Sequence, residues 1–194
     1  MRSALIAAAL GAFAQGAAAC PTAADLASGI IVTEDNGIEN LFQSVDDLIV
    51  AQSGTLQDGG RFRHLMVHGI HLTEIARADP GESLSKALLF DYDIPLEDLP
   101  VPEPGGQWDL QTFVNVSGDR FPERYASAWS DLTPMTIGGC TYDVLTGKLA
   151  YISADNTLLE VFYYVPELGF GLLETDEPNA VDPFTRTYID IRAQ

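Results

Sequence analysis

Residues 57–75, QDGGRFRHLMVHGIHLTEI, contain the pattern that determines the fold class. The stretch begins with a Gly-containing turn signal at 57–60, continues with β-forming side chains at 62–67, and resumes after Gly69 at 70–75. Two short runs of this kind, each bounded by a Gly-containing turn, are typical of antiparallel hairpins. The stretch therefore predicts paired strands.

Short β-runs separated by turns continue along the rest of the chain. Asn36-Gly37, the strongest short hairpin signal, follows a run at residues 30–33. Long helical periodicity is absent, and only residues 21–27 and 80–86 have room for a helical turn. We predict an all-β fold, an antiparallel meander that forms a sandwich, a barrel or a half-barrel with little helix. The further runs lie at residues 41–45, 48–52, 87–92, 108–116, 124–129, 141–145, 150–153, 158–165, 170–174 and 187–191.

A proline-rich connection divides the β-runs into two groups. Residues 94–106, IPLEDLPVPEPGG, hold four prolines and two glycines, which excludes regular structure and predicts a surface connection. We expect one β-rich domain over residues 20–194, with halves of roughly 20–93 and 107–194. The hairpins within these halves are faintly alike, which fits a duplication into two similar halves, although two ordinary hairpins would look the same.

The N-terminus indicates export. Residues 1–19, MRSALIAAALGAFAQGAAA, place Arg2 before an apolar stretch that ends in small residues, the layout of a signal peptide. The apolar stretch is about half the length that spans a bilayer, and no later run approaches that length. We expect a mature protein without a transmembrane segment, in the periplasm or the extracellular space.

The chain contains two cysteines, Cys20 and Cys140. In an oxidising compartment an even cysteine count favours a disulfide, here one that closes a long loop and contributes about 3–5 kcal/mol. The alternative is a lipid anchor on Cys20, which would be the first residue after cleavage. Lipoprotein signals usually have Leu three residues before the cysteine, whereas this chain has Ala17. We therefore predict the disulfide.

The charge excludes several classes of partner. The 194 residues include 28 acidic and 10 basic side chains, so the net charge is −18, or −19 once Arg2 is removed with the signal peptide. An acidic surface repels phosphate, which argues against nucleic acids and anionic lipids. We interpret the acidic residues as a solvated surface that keeps the protein soluble.

All three histidines of the chain fall within eight residues. On a strand, His64, Met66 and His68 point to one face, and His71 returns across the turn at Gly69. Imidazole and thioether ligands suit zinc or copper, so a metal site at these four residues is one hypothesis. The competing interpretation is a set of solvated histidines without a common role. Our first expectation is that the protein has no cofactor.

Other chemistry finds little support in the sequence. A Gly-x-Ser-x-Gly motif is absent, and the predicted disulfide consumes both thiols, so we predict no catalytic residues and keep a hydrolase as a distant alternative.

Aromatic side chains on both faces of the run at 158–165 indicate a strand that is covered on both sides. Core packing explains such rings in most proteins, but a curved sheet lined with rings could also hold an apolar ligand.

Two short motifs carry a family resemblance. Residues 138–142, GGCTY, and 163–169, YYVPELG, resemble a pattern in uncharacterised secreted proteins of Gram-negative bacteria. The resemblance implies a small β-rich envelope protein and no activity. With the residues above, it leads us to expect an exported, non-catalytic envelope protein that binds an apolar molecule or another envelope protein. The alternative is a periplasmic metal-binding protein.

Overall fold

A computed structural model describes residues 19–176 and 184–194, so the predicted signal peptide lies almost entirely outside the described residues. The described residues form one sheet of thirteen antiparallel strands. The strands are β1 (Ile30–Glu34), β2 (Glu39–Ser44), β3 (Ile49–Thr55), β4 (Arg61–Val67), β5 (His71–Ala78), β6 (Ser85–Tyr92), β7 (Gln107–Val116), β8 (Asp119–Ile137), β9 (Cys140–Ile152), β10 (Thr157–Val165), β11 (Phe170–Asp176), β12 (Phe184–Thr185) and β13 (Tyr188–Ala193).

The strands β1 to β12 follow one another across the sheet in chain order, and β13 pairs with β1. This arrangement confirms the predicted antiparallel meander. The helical elements of the described part are two short 3-10 helices, Ala23–Ala27 and Leu96–Asp98. The described strands do not close into a barrel, although the C-terminal segment pairs with β11 through β12 and with β1 through β13.

Tight turns join several pairs of neighbouring strands. His68 and Gly69 both have positive φ, 51° and 65°, and the Ile70 amide donates to the Val67 carbonyl at 3.1 Å, so residues 67–70 form a tight turn. The β8–β9 turn needs glycine at position 138, because a Cβ there would lie 2.9 Å from the Cα of Asp190 in β13. This turn therefore packs directly against the C-terminal strand.

A bulge in β8 lets one strand serve two hydrophobic cores. Ser130 and Asp131 form an irregularity opposite Thr146 of β9, and the Thr146 amide donates to the Ser130 hydroxyl at 2.9 Å. Because the extra residue shifts the alternation of side chains, Trp129 and Ile137 enter different cores.

The first core lies between the N-terminal strands and the ends of β8 to β11. Its centre is the stacked pair Phe42 and Phe170, with ring centroids 4.0 Å apart and planes at 7°. The second core contains Tyr125, Trp129 and Tyr164 from β8 and β10. Both faces of the sheet are therefore partly covered by the protein itself.

Two segments differ from the sequence-based expectation. The runs at 141–145 and 150–153 form one strand, β9, because Gly147 between them packs under the Trp129 ring, where a Cβ would meet the ring at 2.3 Å. The proline-rich connection joins β6 to β7, which pair with each other. Contrary to the expectation it contains regular structure, the 3-10 helix Leu96–Asp98, and it is not wholly on the surface. Leu99 within it is only 3% exposed.

Candidate functional site

The disulfide between Cys20 and Cys140 is present, which confirms that prediction. It fastens the start of the described chain to the first residue of β9, and two hydrogen bonds lie nearby. The Tyr142 hydroxyl donates to the Pro21 carbonyl at 3.1 Å, and the Ala23 amide donates to the Glu167 carbonyl at 2.9 Å. Because the disulfide uses the Cys20 sulfur, the structure favours it over a lipid anchor at that residue.

The predicted metal ligands do not converge. In β4, His64 and Met66 share one face, and Met66 is buried in the first core. Val67 points to the other face, and His71 pairs with Val67, so His71 lies on the face opposite Met66. The rings of His68 and His71 are 6.5 Å apart, centroid to centroid. Among the described residues, no group of three or more His, Cys, Asp and Glu side chains could hold a metal ion. The zinc or copper hypothesis stays a prediction.

His64 ends a buried chain of hydrogen bonds that the sequence analysis missed. Asn40 Nδ2 donates to Glu34 Oε1 at 2.9 Å, Gln52 Nε2 donates to Asn40 Oδ1 at 3.0 Å, and His64 Nδ1 lies 3.3 Å from the side-chain oxygen Oε1 of Gln52. Burial, helped by the charges of Arg77 and Arg186, lowers the pKa of His64 to about 4. The sequence signal for this chain is one polar residue at an inward position on each of four neighbouring strands.

His71 lies in a cluster of aromatic rings on the opposite face. Its Nε2 donates to the Pro100 carbonyl at 2.7 Å, so the proline-rich connection holds the imidazole in place. Burial lowers the pKa of His71 to about 4, which leaves the ring neutral at physiological pH. Its centroid lies 5.1 Å from Trp108, 5.6 Å from Tyr125 and 6.1 Å from Tyr92. We call His71, Tyr92, Trp108, Tyr125 and Tyr151 the ring cluster.

Several buried polar atoms of this region lack a hydrogen-bond partner within the described part of the chain. They are His71 Nδ1, Trp108 Nε1 and Tyr125 Oη in the ring cluster, and Glu123 Oε1 beside it. Burial raises the pKa of Tyr125, and the nearby indole N–H of Trp108 opposes that shift slightly without making a hydrogen bond of normal geometry. An unsatisfied buried polar atom costs about 1–3 kcal/mol, so four of them cost a sum comparable to the whole stability of a domain, about 5–15 kcal/mol.

A cleft of about 710 Å³ lies at one end of β1 to β4. The hairpin turns β1–β2 and β3–β4 form its sides, and Leu84 of the β5–β6 connection contributes to its wall. Its rim carries Glu39, which is paired with Arg192 at 2.5 Å, and Arg61, whose guanidinium donates to the Glu82 carbonyl. Its apolar lining consists of Ile31, Ile38, Leu41, Leu56, Phe62 and Leu84. We call this depression the hairpin cleft.

No protein-family model and no curated protein matches the chain. A solved structure, the hypothetical lipoprotein YmcC of Escherichia coli K12, is similar over 84% of this chain and 83% of its own, with 11% identity and a TM-score of 0.43. A likeness of this degree carries no statement about function.

The described residues contain no helix long and apolar enough to cross a membrane.

Proposed function

We propose that this protein is an exported, non-catalytic envelope protein that binds an apolar small molecule in the hairpin cleft. The observation that carries the proposal is the cleft itself, a depression at the open end of four neighbouring strands whose lining contains six apolar side chains. Its volume of about 710 Å³ falls within the range of small-molecule sites, about 300–1,000 Å³.

Export is supported by the signal-like N-terminus and by the disulfide. Disulfides persist in oxidising compartments and are rare in the cytosol. The resemblance of the motifs at 138–142 and 163–169 to secreted proteins of Gram-negative bacteria points the same way. The periplasm is the compartment that fits these features best.

The chemistry of the cleft favours an uncharged, apolar occupant. Six apolar side chains and four uncharged polar ones line the cleft, whereas its two charged groups are engaged within the protein. Glu39 is neutralised by Arg192, and Arg61 holds the β5–β6 connection through the Glu82 carbonyl. Contact with such a lining gains about 25 cal/mol for each Å² of apolar surface that leaves water.

Binding of the neutral fluorescent probe N-phenyl-1-naphthylamine tests the proposal. Leu84 is 38% exposed and lines the cleft, and Leu132 is 46% exposed and lies outside the cleft lining, so the two leucines form a matched pair. Leu84→Ser should weaken probe binding about tenfold, because roughly 1.4 kcal/mol of apolar contact is lost. Leu132→Ser should leave the affinity unchanged.

Equal affinities of the wild type and Leu84→Ser would contradict binding in the hairpin cleft. Native mass spectrometry of the exported protein provides a second readout. A co-purifying apolar molecule that is lost in Leu84→Ser would identify the ligand, whereas a bound envelope protein would shift the proposal to that partner.

A further inference from the structure

We infer that the ring cluster binds a hydroxyl group, supplied by water or by a small uncharged ligand, between His71, Trp108 and Tyr125. The site lies away from the hairpin cleft and involves different strands. Its test is therefore independent of the function proposed above.

The hydrogen-bonding state of His71 defines the first requirement. Nε2 donates its hydrogen to the Pro100 carbonyl at 2.7 Å, and the buried ring is neutral, so Nδ1 carries a lone pair and can only accept. Nδ1 is buried and has no partner among the described residues. The guest must therefore donate a hydrogen bond.

Trp108 and Tyr125 define the second requirement. The indole Nε1 of Trp108 is a donor only, and the hydroxyl of Tyr125 can donate its hydrogen. Both atoms are buried without a hydrogen bond of normal geometry in the described part of the chain, and Tyr125 is only 1% exposed. Even a weak contact between the indole and the Tyr125 oxygen would leave the hydroxyl hydrogen unused. The guest must therefore also accept hydrogen bonds.

A hydroxyl group meets both requirements at once. It donates one hydrogen, to His71 Nδ1, and its two lone pairs can accept from Trp108 and Tyr125. A carboxylate has no hydrogen to donate to Nδ1, and an ammonium group has no lone pair for the indole. A phosphate anion would bring a charge that no cation among these three side chains compensates. The combination therefore selects an uncharged donor and acceptor.

The three rings are held in a fixed triangle. Their centroids are separated by 5.1 Å (His71 and Trp108), 5.6 Å (His71 and Tyr125) and 6.3 Å (Trp108 and Tyr125). Tyr125 is further stacked on Tyr151 at 5.1 Å, and Trp108 packs on Trp129 at 5.6 Å. Turning a buried polar atom of these rings towards solvent would therefore cost the ring contacts.

Magnetic relaxation dispersion of water, which counts long-lived internal water molecules, tests the inference. Tyr125→Phe should remove at least one such water and lower the thermal midpoint by about 2–8 °C, because a bridged hydrogen bond is lost. Trp108→Phe, which removes the indole donor, replaces Tyr125→Phe in the same measurement if Tyr125→Phe does not fold. Tyr188→Phe is the control, because its hydroxyl already donates to the Leu173 carbonyl at 2.6 Å. This control should lower stability without changing the number of long-lived waters.

Native mass spectrometry separates the two sources of the hydroxyl. An uncharged molecule that is bound to the wild type and absent from Tyr125→Phe supports the site and identifies a ligand hydroxyl, whereas loss of water alone identifies water. The inference is overturned if the wild type and Tyr125→Phe hold equal numbers of long-lived waters and neither holds a molecule. A raised midpoint in Tyr125→Phe would overturn it as well, since that result means the hydroxyl was unsatisfied.

Discussion

Replacing Cys20 and Cys140 together by alanine removes the disulfide and leaves no thiol in the chain. The change acts mainly on the unfolded protein, which gains conformational freedom when the loop is opened. The native contacts at the same place, such as the hydrogen bond from Tyr142 to Pro21, remain available. The experiment therefore isolates the effect of the covalent link.

The size of the effect follows from the loop. The cysteines are 120 residues apart, and the chain-entropy relation assigns about 16 cal/mol/K to a loop of that length. At room temperature this entropy corresponds to about 5 kcal/mol, a large share of the roughly 5–15 kcal/mol that stabilises a domain. With a urea m-value of about 2 kcal/mol/M, the unfolding midpoint should fall by about 2.5 M.

Urea unfolding followed by tryptophan fluorescence and far-ultraviolet circular dichroism measures the midpoint. The exposed Thr141→Ala, next to Cys140, is the control and should unfold within about 0.3 M of the wild type. A double variant whose free energy of unfolding differs by less than about 1 kcal/mol would refute the reasoning. It would mean that the unfolded chain gains little freedom when this loop opens.

Two further predictions concern buried side chains. His64 and His71 have pKa values of about 4 in the folded protein and about 6.5 when unfolded, so the unfolded chain binds more protons in this interval. The free energy of unfolding should therefore be highest above pH 6.5 and fall towards pH 4, by up to roughly 3 kcal/mol per histidine. An NMR titration in which either ring titrates near 6.5 in the folded protein would contradict this prediction. Gly147→Ala places a Cβ 2.3 Å from the Trp129 ring and should destabilise the protein by about 1–3 kcal/mol in urea. Trp129→Phe should absorb part of that cost in a double-mutant cycle, and strict additivity would exclude the clash as the cause.

Most strands and turns could be predicted because their signals are local. Asn36-Gly37 and the Gly-containing turn at 57–60 do lie between paired strands. The end of β8 was harder to predict. Its bulge at Ser130 and Asp131 is a response to the need to fill two cores, and no local pattern reports that need. The continuity of β9 depends in the same way on a distant tryptophan that packs over Gly147.

The candidate sites were less predictable than the strands. Proximity along the chain suggested one histidine site, whereas the strand alternation and the turn at His68-Gly69 send His64 and His71 to opposite faces. Each imidazole then takes its neighbours from distant segments: Gln52 for His64, and Pro100 with three aromatic rings for His71. Such neighbours follow from sheet curvature and connection packing, which leave no periodic trace in a sequence.

By itself, the sequence determined the all-β class, the order of the strands and the pairing of Cys20 with Cys140. These features depend on residue alternation, on turn residues next to each other and on an even cysteine count. Only the tertiary structure decided that the C-terminal strand pairs with β1, that one strand serves two cores, and where the hairpin cleft and the ring cluster lie. The physical reason is that burial and hydrogen-bond satisfaction are settled between residues far apart in the chain, once the whole sheet has curved around its cores.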